Sequence, residues 1–306
     1  MSRSAAYPLV AVTVWGLMFA ILGRALRHVD PFNLTAVRYG LGVLILIAIL
    51  VAREGPAALR PDGRTVELLL LGIVGFAGFN LLTNLALERT QPQNAALVVA
   101  LTPLLTVLVR WARDRVRPRP VTLMLIGVAL AGVLLVISKG RLAGFGAFGA
   151  GDLLMFGAVI GWAIYTHGGG RFQEFSPLRY ATLTAVAGTV TILLLTVLSD
   201  AVGWQHLPAL GDVLAIWPEI GYVVVIGAVL AILAWNTGVR RLGAANAALF
   251  MNLVPLVALA LATVQGYRPQ PVELIGTALT AAAIVTANLL ARAPARNREL
   301  VSTTAS

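Results

Sequence analysis

Three polar side chains recur on one face of a strongly apolar stretch, where they could bind a polar ligand. Asn80, Thr83 and Asn84 are three and four residues apart, so a helix carries them on one side. Asn236 and Asn252 lie in two other apolar stretches. Amides and hydroxyls donate and accept hydrogen bonds without carrying charge, which suits recognition of a small neutral molecule. The alternative is that these groups hold neighbouring helices together.

Large aromatic side chains accompany these polar groups. Trp15, Trp162, Tyr165 and Trp235 lie near the middle of apolar stretches, whereas tryptophan and tyrosine usually collect at the membrane interface. Rings in such positions form the walls of pockets that accept apolar or aromatic groups. We therefore predict that these four residues and Phe79 line a substrate cavity with the amides. Packing against lipid or against other helices is the alternative.

Arg38 is a basic residue within an apolar stretch. It could extend to the membrane interface, pair with an acid or attract a substrate carboxylate. We expect that Arg38 has a structural role and does not bind the substrate. A charge inside the hydrocarbon is costly unless it faces the interior of a bundle or a partner.

An asparagine and a proline occur twice at the same spacing, as Asn94 with Pro103 and as Asn246 with Pro255. Asparagine is favoured at the N-cap of a helix, so each is predicted to begin one. A proline inside a helix removes a backbone donor and bends it. We predict matched kinks that help the helices open and close around a pathway; ordinary packing is the alternative.

Motifs for catalysis are missing from the sequence. It has no Cys and no His-Glu-x-x-His, Gly-x-Ser-x-Gly or phosphate-binding Gly-x4-Gly-Lys-Ser/Thr pattern. Its three histidines, His28, His167 and His206, are too scattered for a zinc site. We expect no catalytic residue, no metal and no cofactor. No Asp or Glu lies near the middle of an apolar stretch, which disfavours proton exchange through a buried carboxylate.

The elements that carry these residues are apolar stretches of membrane-spanning length. The chain has 306 residues, 58% hydrophobic and 12% charged, against about 25% charged in soluble proteins. A bilayer requires about 20 apolar residues per helix. Ten stretches approach that length, and they predict an all-α integral membrane protein: 7–23, 33–52, 66–87, 94–110, 121–138, 152–170, 178–199, 217–238, 245–265 and 272–291.

The basic residues indicate how these stretches cross the membrane. If the N-terminus is cytoplasmic, sixteen of the 23 Lys and Arg fall in cytoplasmic segments: Arg3, Arg53, Arg60, Arg64, Arg110, Arg113, Arg115, Arg117, Arg119, Arg171, Arg179, Arg240, Arg241, Arg292, Arg296 and Arg298. Positively charged loops stay in the cytoplasm, so both termini are predicted to lie there. The net charge of +10 is spread over these loops and does not indicate nucleic-acid binding.

The two Asn-and-Pro motifs belong to a longer duplication with an offset of 152 residues. Ten of the 24 residues in 81–104 recur, where about two or three would match by chance. The matches are Leu81, Asn84, Arg89, Asn94, Ala95, Ala96, Leu97, Leu101, Pro103 and Leu104 with Leu233, Asn236, Arg241, Asn246, Ala247, Ala248, Leu249, Leu253, Pro255 and Leu256. An odd number of spans separates the copies, so they must face opposite ways. We predict two inverted five-helix repeats, 7–138 and 152–291, and a cytoplasmic tail, 292–306.

These features together resemble the EamA-type drug/metabolite transporter superfamily. The resemblance rests on the two five-helix halves, Trp15-Gly16, the Pro31 to Arg38 spacing and the two Asn-Ala-Ala-Leu…Pro segments. Among its branches, the chain is most similar to bacterial amino-acid exporters, including exporters of aromatic amino acids. It departs from the pattern in its second half, where Thr184 or a neighbour takes the place of Arg38.

The resemblance implies a multi-pass carrier of the bacterial inner membrane that functions as a monomer. With the neutral polar groups and rings, it predicts export of small neutral metabolites such as amino acids by alternating access. A multidrug exporter of organic cations is the alternative, and an intramembrane enzyme is a remote one.

Overall fold

The structure, a computed structural model, describes residues 3–87, 89–90, 95, 98–141 and 149–292. Among these residues there are helices and no strands. The helices of the first half are α1 (Arg3–Ala25), α2 (Pro31–Glu54), α3 (Thr65–Leu87), α4 (Thr102–Asp114) and α5 (Pro120–Ser138). A short 3₁₀ helix, Pro56–Leu59, joins α2 to α3.

The second half contains five helices of similar length and one short additional helix. They are α6 (Ala150–Gly169), α7 (Pro177–Ala201), the short α8 (Leu210–Ala215), α9 (Trp217–Leu242), α10 (Ala244–Val264) and α11 (Pro271–Arg292). In the described part of the chain, six helices are long and apolar enough to cross a membrane: α2, α3, α5, α7, α9 and α10. Two shorter apolar helical segments, Ser4–Met18 and Pro271–Ala287, lie in α1 and α11.

Matching residues start α2 and α7, the second helix of each half. Asp30 caps α2 by accepting hydrogen bonds from the backbone N–H groups of Phe32 and Asn33. Ser176 caps α7 by accepting from the N–H of Arg179. In both cases a proline follows the cap, in the first turn, where a missing N–H costs nothing.

The helices α2 and α7 run antiparallel along a row of threonines. Thr182, Thr189 and Thr196 donate to the carbonyl oxygens of Leu46, Tyr39 and Phe32 over 3.4, 3.4 and 3.5 Å. Each step of seven residues along α7 is matched by a step of seven in the opposite direction along α2. The contact therefore persists over about four helical turns and joins counterpart helices of the two halves in antiparallel orientation.

Small residues bring α5 and α11 together in the same antiparallel way. A Cβ on Gly132 would lie 2.5 Å from the carbonyl oxygen of Gly276, so any side chain there would separate the helices. Thr280 donates across this contact to the carbonyl of Ala129 over 3.3 Å. The remaining pairs follow the same symmetry, because α1 packs on α9 and α10 while α6 packs on α3 and α4.

The helical geometry changes at corresponding places in the two halves. Ile73–Gly78 in α3 and Tyr222–Leu230 in α9 are π-helical, a wider winding that is common at functional sites. Pro103 lies in the first turn of α4, directly after a break at Leu101. Pro255 follows a 3₁₀ segment, Leu249–Leu253, within α10.

The capping prediction is wrong for Asn246. The helix begins after Gly243, and the Asn246 amide, one turn inside, donates back to the carbonyl of Leu242 over 2.9 Å. The error arises because the loop before this helix is reduced to one glycine, with φ +80°. Asn94 lies outside the described residues.

Candidate functional site

Three tryptophans from three helices meet in the interior of the bundle. Trp15 of α1 lies 5.5 Å from Trp162 of α6 and 5.5 Å from Trp235 of α9, measured between ring centroids. Trp162 and Trp235 are 5.8 Å apart. These three residues, which we call the tryptophan triad, form a closed triangle. Phe79 of α3 extends it, 5.3 Å from Trp162.

The indole N–H groups of the triad have different partners. Trp15 donates to the carbonyl of Gly227 over 3.3 Å, and Trp235 donates to the hydroxyl of Thr166 over 3.2 Å. The Trp162 indole nitrogen is buried, and it has no hydrogen-bond partner among the described residues. A buried donor without a partner is costly and marks a place where a ligand could bind.

Tyr165 connects the triad to the amide of Asn236. Its ring lies 5.3 Å from Trp162, and its hydroxyl accepts a hydrogen bond from Asn236 over 2.7 Å. A similar pair occurs in the first half, where Asn80 donates to the hydroxyl of Tyr39 over 3.1 Å. Both asparagines are buried, and each joins its own helix to a neighbouring one.

Asn84 and Thr83 bond to neighbouring helices. Asn84 donates to the carbonyl of Pro31 over 3.1 Å and to the hydroxyl of Thr35 over 3.2 Å, which fastens α3 to the start of α2. Thr83 contacts the sulfur of Met155 at 3.9 Å. The contacts of Asn84 thus agree with the alternative interpretation, that these polar groups hold neighbouring helices together.

Arg38 lies inside the bundle, near the glycine that bonds to Trp15. It is 8% exposed, its guanidinium covers the ring of Tyr39 at 4.9 Å, and no carboxylate pairs with it in the described part of the chain. Its Nε atom is buried and has no hydrogen-bond partner among the described residues. A Cβ placed on Gly227 would lie 3.9 Å from Arg38 Nη2. Gly227 therefore lies between Arg38 and Trp15.

Asn252 is the most isolated polar side chain of the predicted set. It is fully buried in the 3₁₀ segment before Pro255, and neither atom of its amide has a partner among the described residues. Among the described residues, no hydrogen bond joins Asn252 to the triad.

A row of rings that the sequence reasoning missed continues from Tyr165 toward one end of the bundle. Tyr180 stacks on Tyr165 at 5.3 Å, Phe172 lies 5.2 Å from Tyr180, and Phe175 lies 5.4 Å from Phe172. Phe172 and Phe175 belong to the connection between α6 and α7, yet each is only 1% exposed. The available signal was an aromatic-rich connection, since connecting segments normally lie on the surface.

Arginines fix this connection in place. Arg64 lies over the ring of Phe172 at 3.5 Å and pairs with Glu174, and Arg179 lies over Phe175 at 4.1 Å. A backbone hydrogen bond and the Arg64 guanidinium hold the pKa of Glu174 below its ordinary value. Arg240 donates to the carbonyl of Phe175. The connection between α6 and α7, held by these arginines, therefore covers the row of rings at this end of the bundle.

The buried carboxylates are placed away from the tryptophan triad. Among the described residues there are two, Asp152 and Glu273, in the first turns of α6 and α11. His167, near the end of α6, is 3.3 Å from Asp114. No group of His, Cys, Asp and Glu residues in the described ranges is arranged to hold a metal ion.

Comparison with known proteins supplies a family for this arrangement. The EamA-like transporter family matches the chain twice, over residues 3–138 and 149–289. "Uncharacterized transporter YrdR" of Bacillus subtilis (strain 168) is 32% identical over 292 residues, which cover 93% of this chain and 90% of that protein. "Uncharacterized transporter YyaM" of the same organism is 31% identical over 288 residues, covering 92% of each.

Two further similarities are more distant. "Uncharacterized inner membrane transporter YedA" of Escherichia coli (strain K12) is 26% identical over 254 residues, which cover 82% of this chain and 78% of that protein. A crystal structure of a protein with 23% sequence identity superposes with a TM-score of 0.78, covering 95% of this chain and 99% of the other. That likeness establishes the fold alone.

Proposed function

This chain belongs to the EamA-like transporter family, and from that premise we propose that it exports small neutral metabolites, amino acids with aromatic side chains among them. It is a multi-pass membrane transporter. We place it in the bacterial inner membrane, because its relative YedA is named an inner membrane transporter.

The observation that carries the proposal is the position of Gly227 between a ring and a guanidinium. The Gly227 carbonyl accepts from the indole of Trp15, while Arg38 approaches the same glycine from α2. A zwitterionic amino acid could lay its side chain against the triad and its carboxylate against Arg38. Arg38 would then bind substrate, in place of the structural role expected from the sequence.

The transport cycle that we propose is alternating access by two inverted halves of five spans each. Its support is the pairing of α2 with α7 and of α5 with α11, both antiparallel between counterpart helices. Both termini would lie in the cytoplasm, and one chain would suffice for a complete pathway. The π-helical segments of α3 and α9 flank the rings and could rewind as the halves move.

Export of organic cations is a second candidate, and the triad itself favours it. Tryptophan binds cations well through cation–π contacts, and the triad brings three such rings to one place, although their contact with one another leaves only their outer faces for a cation. The nearby Arg38 opposes this assignment, because it would repel a positively charged substrate.

A transport competition panel in proteoliposomes tests the proposal. The expected result is that phenylalanine, tryptophan and leucine compete for uptake of a labelled aromatic amino acid, while tetraphenylphosphonium does not. Running the panel with and without a pH gradient reveals any coupling to protons. Transport of tetraphenylphosphonium without transport of any amino acid would refute the assignment in favour of the second candidate.

A further inference from the structure

A second site lies away from the triad, in a cleft of about 350 Å³ between α4, α5, α10 and α11. The arginine-rich connection 115–119 forms one edge of it. Neither the triad nor Arg38 lines the cleft. Its volume is within the range of pockets that hold small ligands.

Positive charge concentrates at the edge of the cleft. Arg110, Arg117 and Arg119 line it, all three are exposed, and no carboxylate contacts them among the described residues. The one acid within residues 110–119 is Asp114, which faces His167 at 3.3 Å. Three guanidinium groups are therefore available to an anion, and guanidinium binds phosphate oxygens well.

Apolar side chains form the walls beneath these arginines. Val116, Val121 and Leu290 line the cleft with exposed side chains, and Val107, Leu125 and Leu249 are buried in its walls. A free inorganic anion would need only the arginines. The combination of a cationic edge with aliphatic walls suits a ligand that has a phosphate and a hydrocarbon chain.

The matching connection of the second half carries much less positive charge. The connection that corresponds to 115–119 in the second half, 265–270, contains only Arg268. The arginine-rich end is the one predicted to face the cytoplasm, where the bilayer surface is rich in anionic lipids.

We propose that this cleft binds one anionic phospholipid of the cytoplasmic leaflet. Its phosphate lies against Arg110, Arg117 and Arg119, and an acyl chain lies along the exposed apolar lining residues, Val116, Val121 and Leu290. The site is independent of the exported substrate.

Titration of the purified full-length protein with phosphatidylglycerol, followed by native mass spectrometry, tests the proposal. One molecule of phosphatidylglycerol is expected to bind more tightly than phosphatidylcholine. Replacing Arg117 and Arg119 by glutamine should weaken the binding of phosphatidylglycerol about fivefold for each arginine removed. This factor corresponds to the usual contribution of one basic residue to binding at an anionic lipid surface. Binding should weaken with added salt.

A double variant with the same loss of charge provides the control. Arg53→Gln with Arg113→Gln removes two exposed arginines that do not line the cleft, and its affinity should equal that of the wild type. Arg117→Lys with Arg119→Lys retains the charge and should retain most of the affinity, which guards against misfolding of the glutamine variant.

Three results would overturn the assignment. Equal weakening in the two glutamine double variants would mean that net charge alone attracts the lipid. Equal binding of phosphatidylcholine would leave no role for the arginines. Displacement of phosphatidylglycerol by inorganic phosphate at similar concentration would mean that the cleft takes a free anion.

Discussion

Asn236 donates a hydrogen bond to the hydroxyl of Tyr165 over 2.7 Å, and this bond joins α9 to α6 beside the tryptophan triad. The equivalent residue of the first half, Asn84, bonds instead to Pro31 and Thr35 on α2. The duplicated asparagines therefore have different partners. In the second half, the Asn236 amide bonds to Tyr165 beside the tryptophan triad. In the first half, the Asn84 amide joins α3 to α2.

A double-mutant cycle should detect the bond between Asn236 and Tyr165. Asn236→Ala and Tyr165→Phe are expected to show a coupling of about 1 kcal/mol in the free energy of unfolding, because each change removes the same bond. Denaturation in detergent micelles measures it. Tyr222→Phe supplies the control, since its hydroxyl donates to Val14 and should be additive with Asn236→Ala within about 0.5 kcal/mol. Equal coupling in both cycles would contradict the assignment.

Trp162→Phe should weaken substrate binding while leaving the protein folded. The change removes an indole N–H that has no partner in the described part of the chain and retains an aromatic ring. We expect the apparent KM for an aromatic amino acid to rise about threefold to tenfold, the value of one hydrogen bond. Trp111→Phe, at an exposed tryptophan of α4, is the matched control. An unchanged KM for Trp162→Phe would remove this nitrogen from the site.

Arg38→Gln should abolish recognition of the substrate carboxylate. The wild type is expected to prefer phenylalanine over phenylalaninamide by about tenfold to a hundredfold, since a hydrogen bond to a charged group is worth about 1.5–3 kcal/mol. The variant should transport both equally. Arg53→Gln, at the exposed end of the same helix, should keep the preference. If Arg38→Gln discriminates as the wild type does, the guanidinium does not contact substrate.

Gly72→Ala should destabilise the contact between α3 and α7. A Cβ there would lie 2.2 Å from the carbonyl oxygen of Thr184 and 2.8 Å from the Cβ of Ala187, so the helices would have to separate. The expected loss is about 1–3 kcal/mol of unfolding free energy, measured by thermal denaturation in detergent. At Gly40 a Cβ meets nothing within 4 Å, so Gly40→Ala should cost nothing. Similar losses at both positions would show that the close approach is not the cause.

The sequence indicated three rings that the structure brings together, but it did not predict how they are connected. Trp15, Trp162 and Trp235 could be selected because they are large aromatic residues within apolar stretches, away from where such residues usually collect. The π-helical winding of Ile73–Gly78 left no trace, since a run of apolar and small residues has the same hydropathy in either winding. Tertiary packing decides between them.

Connections were the least predictable parts of the chain. Asn246 was expected to cap its helix because asparagine is favoured at the N-cap; Gly243 takes that position instead, and Asn246 lies in the first turn. Phe172 and Phe175 were missed because they are buried in a connection by arginines from other segments, Arg64, Arg179 and Arg240. Such long-range contacts depend on which ends of the bundle meet, and local patterns carry no information about that.

The threonine row between α2 and α7 has a consequence for the origin of the chain. Each half contributes its second helix to this antiparallel contact, as in an isologous contact between two copies of one half. The threonine hydrogen bonds themselves run in one direction only, from α7 to α2, so they belong to the second half alone. An ancestral protein of half this length could thus have assembled as a homodimer in the membrane, one copy inserted in each direction.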